Sequence, residues 1–128
     1  MSSEAWIFSG GIYHLAFVIF HLFFWKLFRW HEELAKISFI NRSVMQILNI
    51  SLTFVFFIFA YLSLFHTVEL LVTSVGISLL LLISIFWLLR ALQQILFFGI
   101  KSRISVFLTL VFFLGFVIYL IPFLRVTP

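Results

Sequence analysis

The sequence predicts an all-α integral membrane protein, a four-helix bundle with a short amphipathic cytoplasmic helix between spans one and two. Three observations predict it. Hydrophobic residues make up 65% of the 128 and charged residues 9%, against roughly 45–50% and about 25% in an ordinary soluble domain. Twenty phenylalanines are more than a chain of this length can hide from water, since a small domain buries only about two thirds of its surface. The apolar residues also fall into runs of about 20, enough helix to cross a ~30 Å hydrocarbon core. The chain is read as a single transmembrane domain, 1–128, without space for a separate soluble one. With no cysteine, disulfides, thiolate metal sites and a cysteine nucleophile are excluded.

The opening MSSEAW carries no basic residue and no small-residue cleavage site follows the first apolar run, so that run is expected to be a retained span rather than a signal peptide. It covers 6–25 and is closed by Lys26 and Arg29, with Trp30 nearby. In the loop that follows, Leu27, Trp30, Leu34 and Ile37 recur at helical spacing, with Glu32 and Lys36 as an i,i+4 pair on the polar side. This predicts a short helix lying on the membrane surface. The second span covers 44–65, and Ser43 with Gln46 forms a capping-box pattern at its start. After a tight link at His66, Thr67 is placed to cap the third helix and Glu69 to sit in its positive first turn. The third apolar run, 70–100, exceeds what the core requires, so the span is set at 70–92, with Trp87 and Arg90 as an interfacial belt. The fourth span covers 104–121 and stops at Pro122.

Lys26, Arg29, Lys36 and Arg42 lie between spans one and two, and Lys101 and Arg103 between three and four, while the second link has no basic residue. The positive-inside rule therefore places loops one and three in the cytoplasm and both termini outside. The formal charge of +4 is thus assigned to topology and anionic headgroups, and no nucleic-acid partner is expected.

Strongly polar groups inside a span are functional candidates, because the hydrocarbon makes them costly. His21, Gln46, Asn49, Thr53, Arg90 and Gln94 all fall toward the cytoplasmic half, and Gln46, Asn49 and Thr53 share one helix face. Together they could form a pocket in which the Arg90 fork holds a phosphate or carboxylate while Asn49 and Gln94 orient it. The plainer reading makes Gln46 a cap, Arg90 a snorkelling side chain and Asn49 helix glue. Glu33 is a further candidate partner for Arg90, set against a solvated position in the loop.

His14 and His21, two turns apart, share a face of span one and are the residues a haem would use. A bis-histidine site lacks a partner, since His66 lies at the outer surface, roughly 12 Å of helical rise from His14. Histidines bonded to a backbone or hydroxyl group are the commoner case, and no cofactor is expected. His31, Glu32 and Glu33 are consecutive and so point apart on a helix, which leaves no metal site. Tyr13, Tyr61 and Tyr119 suit packing or interfacial anchoring, and Gly10, Gly11, Gly76 and Gly115 suit close helix approach. Asn41-Arg-Ser43 and Asn49-Ile-Ser51 match the glycosylation pattern by chance, one in a cytoplasmic loop and one within a span. No span holds paired carboxylates, and the sequence has no Ser-containing Gly-rich elbow and no phosphate-cradling loop, so no catalytic residue is assigned.

The stretches His21-Leu-Phe-Phe-Trp-Lys-Leu-Phe-Arg-Trp-His-Glu-Glu-Leu34, Ile40-Asn-Arg-Ser-Val-Met-Gln-Ile-Leu-Asn49 and Phe86-Trp-Leu-Leu-Arg-Ala-Leu-Gln-Gln94 resemble small bacterial four-span membrane proteins that are themselves uncharacterised. The resemblance implies this architecture and a bacterial inner membrane, and it brings no activity, cofactor or site residue. The function expected is that of an accessory or structural protein packing with copies of itself or with another membrane protein. The alternative is a transporter-like or lipid-binding protein with an anionic ligand near Arg90, and a haem protein stands third.

Overall fold

The structure, a computed structural model, describes residues 1–127. It is all-α, with helices α1 (Ser3–Leu22), α2 (Phe24–Leu27), α3 (Trp30–Glu33), α4 (Phe39–Phe65), α5 (Thr67–Val72), α6 (Ser74–Phe98) and α7 (Arg103–Val126). Four of them, α1, α4, α6 and α7, are long and apolar enough to cross a membrane.

Side-chain caps set the helix starts. Ser2 accepts from the Ala5 N–H, Thr73 from Gly76 and Ser102 from Ser105. The start of α4 differs from the sequence expectation, because Ser38, not Ser43, caps it by accepting from Asn41. Ser43 lies inside the helix, and the Gln46 amide donates back to the Arg42 carbonyl at 3.3 Å. The apolar run marks where the hydrocarbon begins, whereas the helix starts a turn earlier, because a polar Asn-Arg-Ser segment is as helix-competent at the headgroups as in water. At 27 residues, α4 is roughly 40 Å long.

The link after α4 is also more elaborate than the sequence suggested. Thr67 donates to the Ser63 carbonyl instead of capping, and α5 forms a separate short helix folded back on α6. That corner requires Gly76, where a Cβ would stand 2.5 Å from the Leu70 Cα, a backbone atom that cannot swing aside. Glu69 does occupy the first turn of α5, and its own backbone N–H and then His66 hold its carboxyl below the usual range.

The loop between α1 and α4 is broken rather than one continuous amphipathic helix. Arg29 adopts a left-handed conformation at φ 52°, which separates α2 from α3 and a 3₁₀ turn at Leu34–Lys36. This kink turns Trp30 and Leu34 under the bundle, where they are buried, and leaves Leu27 and Ile37 exposed. Its ion pairs accordingly run Arg29–Glu32 and Lys36–Glu33, so Glu33 is paired within the loop and not with Arg90.

The four long helices form two antiparallel hairpins, α1 with α4 and α6 with α7, joined side by side through α1 and α7. Across the opposite edge α4 and α6 meet through rings, with Phe56 stacked on Trp87 at 5.4 Å and Phe59 edge-on to Phe86 at 6.1 Å. The core runs through Ile7, Phe56, Leu80, Ile83, Trp87, Phe112 and Tyr119. Trp87, expected in an interfacial belt, is fully buried at its centre.

Candidate functional site

The end of the bundle carrying the α1–α4 loop and the α6–α7 turn is hollow. A cavity of about 500 Å³ opens there among α1, α2, α4, α6 and α7, walled by Phe17, Phe24, Phe56, Trp87 and Phe112, with Trp30 also lining it. Its polar lining consists of His21, Arg90, Gln94, Ser102 and Ser105.

Arg90 dominates its electrostatics. It lies eight residues before the end of α6 at Phe98, roughly 12 Å of helical rise. The guanidinium sits over the Phe112 ring, 4.4 Å from its centroid. Among the described residues no carboxylate pairs with it. Of the five N–H donors a guanidinium carries, one reaches a protein acceptor, Gln94 Oε1, at a long 3.4 Å. Gln94 is itself held from behind. Its Nε2 donates to Ser105 Oγ at 3.1 Å, and that hydroxyl donates to the Gly99 carbonyl at 2.6 Å. A chain of hydrogen bonds thus runs from the α6–α7 turn through Gln94 toward the arginine.

His21 and Asn49 form a second unit. His21 Nδ1 lies 2.8 Å from Asn49 Oδ1, and Asn49 Nδ2 donates to the His21 carbonyl at 3.2 Å. A carbonyl can only accept, so the amide nitrogen must face it and Oδ1 must face the ring, which makes Nδ1 the protonated nitrogen. Nε2 is left with a lone pair and no hydrogen-bond partner among the described residues. His21 also borders an outer groove of about 340 Å³ between α1 and α4, lined by Asn49, Thr53 and Trp25.

The structure thus brings His21, Arg90 and Gln94 to one cavity and sets Asn49 behind His21, on the groove side. Gln46 lines neither. Ser105 and Trp30 were not assigned to the site from sequence. Ser105 carried a weak signal, a hydroxyl in the first turn of an apolar span, whereas Trp30 is brought in by the left-handed Arg29.

The other half of the bundle is closed. His14 is fully buried, and its Nε2 accepts from Trp87 Nε1 at 3.0 Å, while Nδ1 meets the Gly10 carbonyl at 2.9 Å and Tyr119 Oη at 3.0 Å. Tyr119 Oη continues to Ser63 Oγ at 2.7 Å. An indole N–H only donates, so His14 is also the Nδ1-protonated tautomer, with both nitrogens engaged. It has no lone pair to offer a haem iron without losing Trp87. Tyr13 Oη donates to the Val111 carbonyl at 2.8 Å.

Compared with known proteins, the chain matches no family model, no curated protein and no solved structure.

Proposed function

We propose that this is a lipid-binding membrane protein that holds the headgroup of an anionic amphiphile against Arg90, with hydrocarbon along the aromatic wall. The observation that carries this reading is the surplus of donors at Arg90, a cation within a span that faces a cavity of about 500 Å³ with one long protein hydrogen bond and no carboxylate among the described residues. An unpaired charge within a span is costly, and a carboxylate or phosphate in the fork removes that cost with two parallel hydrogen bonds. The distribution of basic residues supports placing this end in the cytoplasmic leaflet, and the resemblance supports a bacterial inner membrane. The test is native mass spectrometry of the protein in phosphatidylcholine nanodiscs titrated with an anionic lipid. One saturable anionic lipid per chain is expected, lost in Arg90→Leu and weakened in Arg90→Lys, which lacks the planar fork. Equal retention by wild type and Arg90→Leu would remove the proposal.

A second reading, an accessory protein packing with another copy or another membrane protein, draws on α4. Its most apolar stretch is 17% buried, against 28–33% in the other three spans, so it has the most surface for a neighbouring helix. Crosslinking from α4 in native membranes tests it, and recovery of monomer alone would count against it.

A further inference from the structure

The proposed site pairs two unmet needs of opposite kind, and this pairing narrows the ligand. Arg90 has donors without acceptors, and His21 has an acceptor without a donor. Asn49 enforces the second condition, because its amide grips both the ring N–H and the backbone carbonyl of the same residue, so the tautomer cannot exchange without breaking two bonds. Asn49 borders the outer groove and not the inner cavity. With Nδ1 turned toward Asn49, Nε2 is the unpartnered nitrogen, among the described residues, of a ring that lines both the cavity and the outer groove. The ring is held there by stacking on Phe24 at 4.2 Å between centroids and by the edge of Phe56 at 5.2 Å.

We infer that the ligand is an anionic lipid whose headgroup carries a hydroxyl beside its charge, with the phosphate on Arg90 and the hydroxyl donating to His21 Nε2. The inference rests on the lipid-binding reading and adds selectivity to it. A phosphodiester bearing a glycerol group satisfies both residues, whereas the same phosphodiester bearing a plain alkyl group leaves Nε2 unmet. The apolar walls favour a lipid over a free polyol phosphate, since most of the named lining is aromatic ring.

The test uses the full chain in phosphatidylcholine nanodiscs and two probes of equal charge and equal acyl chains, phosphatidylglycerol and phosphatidylethanol. Wild type is expected to prefer phosphatidylglycerol about tenfold, the worth of one hydrogen bond that would otherwise be missing. His21→Phe keeps an aromatic ring in place and should abolish the preference, binding the two probes equally. Binding of phosphatidylethanol is therefore also its folding control. Arg90→Leu should bind neither. Equal binding of the two probes by wild type would overturn the hydroxyl inference and leave the lipid reading standing, while unchanged binding in Arg90→Leu would bring down both. If His21→Phe fails to bind phosphatidylethanol, the wild-type preference alone decides. Free glycerol 3-phosphate offers the same groups without chains and is expected not to displace the lipid. Displacement would keep the paired chemistry and reassign its source to a soluble compound.

Discussion

The surroundings of His14 and of His21 are built from the same kinds of residue and differ in how their hydrogen-bonding capacity is balanced. Around His14 the donors and acceptors of Trp87, Tyr119, Ser63 and the Gly10 carbonyl are matched, and the space between them is closed. Around His21 the balance fails on both sides, with spare donors on Arg90 and a spare acceptor on Nε2, and the space is open. Both histidines are protonated on Nδ1, and both lie on α1 two turns apart. What separates them is the occupant of Nε2, an indole in one half and nothing from the described protein in the other. Polarity within a span is thus ambiguous until each donor and acceptor is accounted for.

The sharpest way to break the comparison is to fill the closed half. A Cβ at Gly115 would lie 2.6 Å from Tyr13 Oη and 2.7 Å from Trp87 Cγ, so Gly115→Leu is expected to destabilise by about 3 kcal/mol, the upper range for overpacking a dense core, read as a drop in melting temperature in detergent. His14→Leu comes next. It strands the Trp87 N–H and one contact of Tyr119, with an expected loss of about 2 kcal/mol by the same measurement. Arg90→Leu should reverse the pattern, holding or raising the melting temperature because it replaces an unpaired charge with an apolar group, while anionic-lipid binding disappears. A loss of stability at Arg90 equal to that at His14 would make the arginine part of the packing and erase the distinction. Ser105→Ala is a milder probe. It cuts the support behind Gln94 and is expected to weaken lipid binding a few-fold, on the order of one modest hydrogen bond, with little effect on melting.

The smallest effect is expected in the loop. Lys36 beside Glu33 holds its carboxyl below the usual range. That pair therefore stabilises the fold above the unfolded carboxylate pKa and loses its effect as pH falls through the lowered folded value. Because both side chains are exposed, Glu33→Gln should leave the melting temperature and its dependence on acidification nearly unchanged. A large change would move part of the fold's stability out of the closed half and into the loop.

The sequence made the membrane class and the four helices legible because both follow from composition and run length, which survive any local detail. It did not reveal the corner at Thr73 or the break at Arg29, since one depends on Gly76 approaching another backbone and the other on a non-glycine residue taking a left-handed conformation. Arg90, Gln94 and His21 stood out as polar groups at similar depth, and the structure places them around one cavity. Depth alone could not tell that Gln46 turns back on its own helix, or that Asn49 lies behind the histidine. Facing direction across helices depends on which hairpin packs on which, and composition does not carry that.

The edge where α4 and α6 meet through rings has a further consequence for how the hairpins hold together. The two hairpins resemble the covers of a book bound along α1 and α7, and the fore-edge is closed by Phe56, Phe59, Phe86 and Trp87. Ring contact closes that edge and no side-chain hydrogen bond joins α4 to α6 among the described residues, so a smaller residue at position 86 is expected to loosen the hairpins there without replacing a residue that lines the cavity.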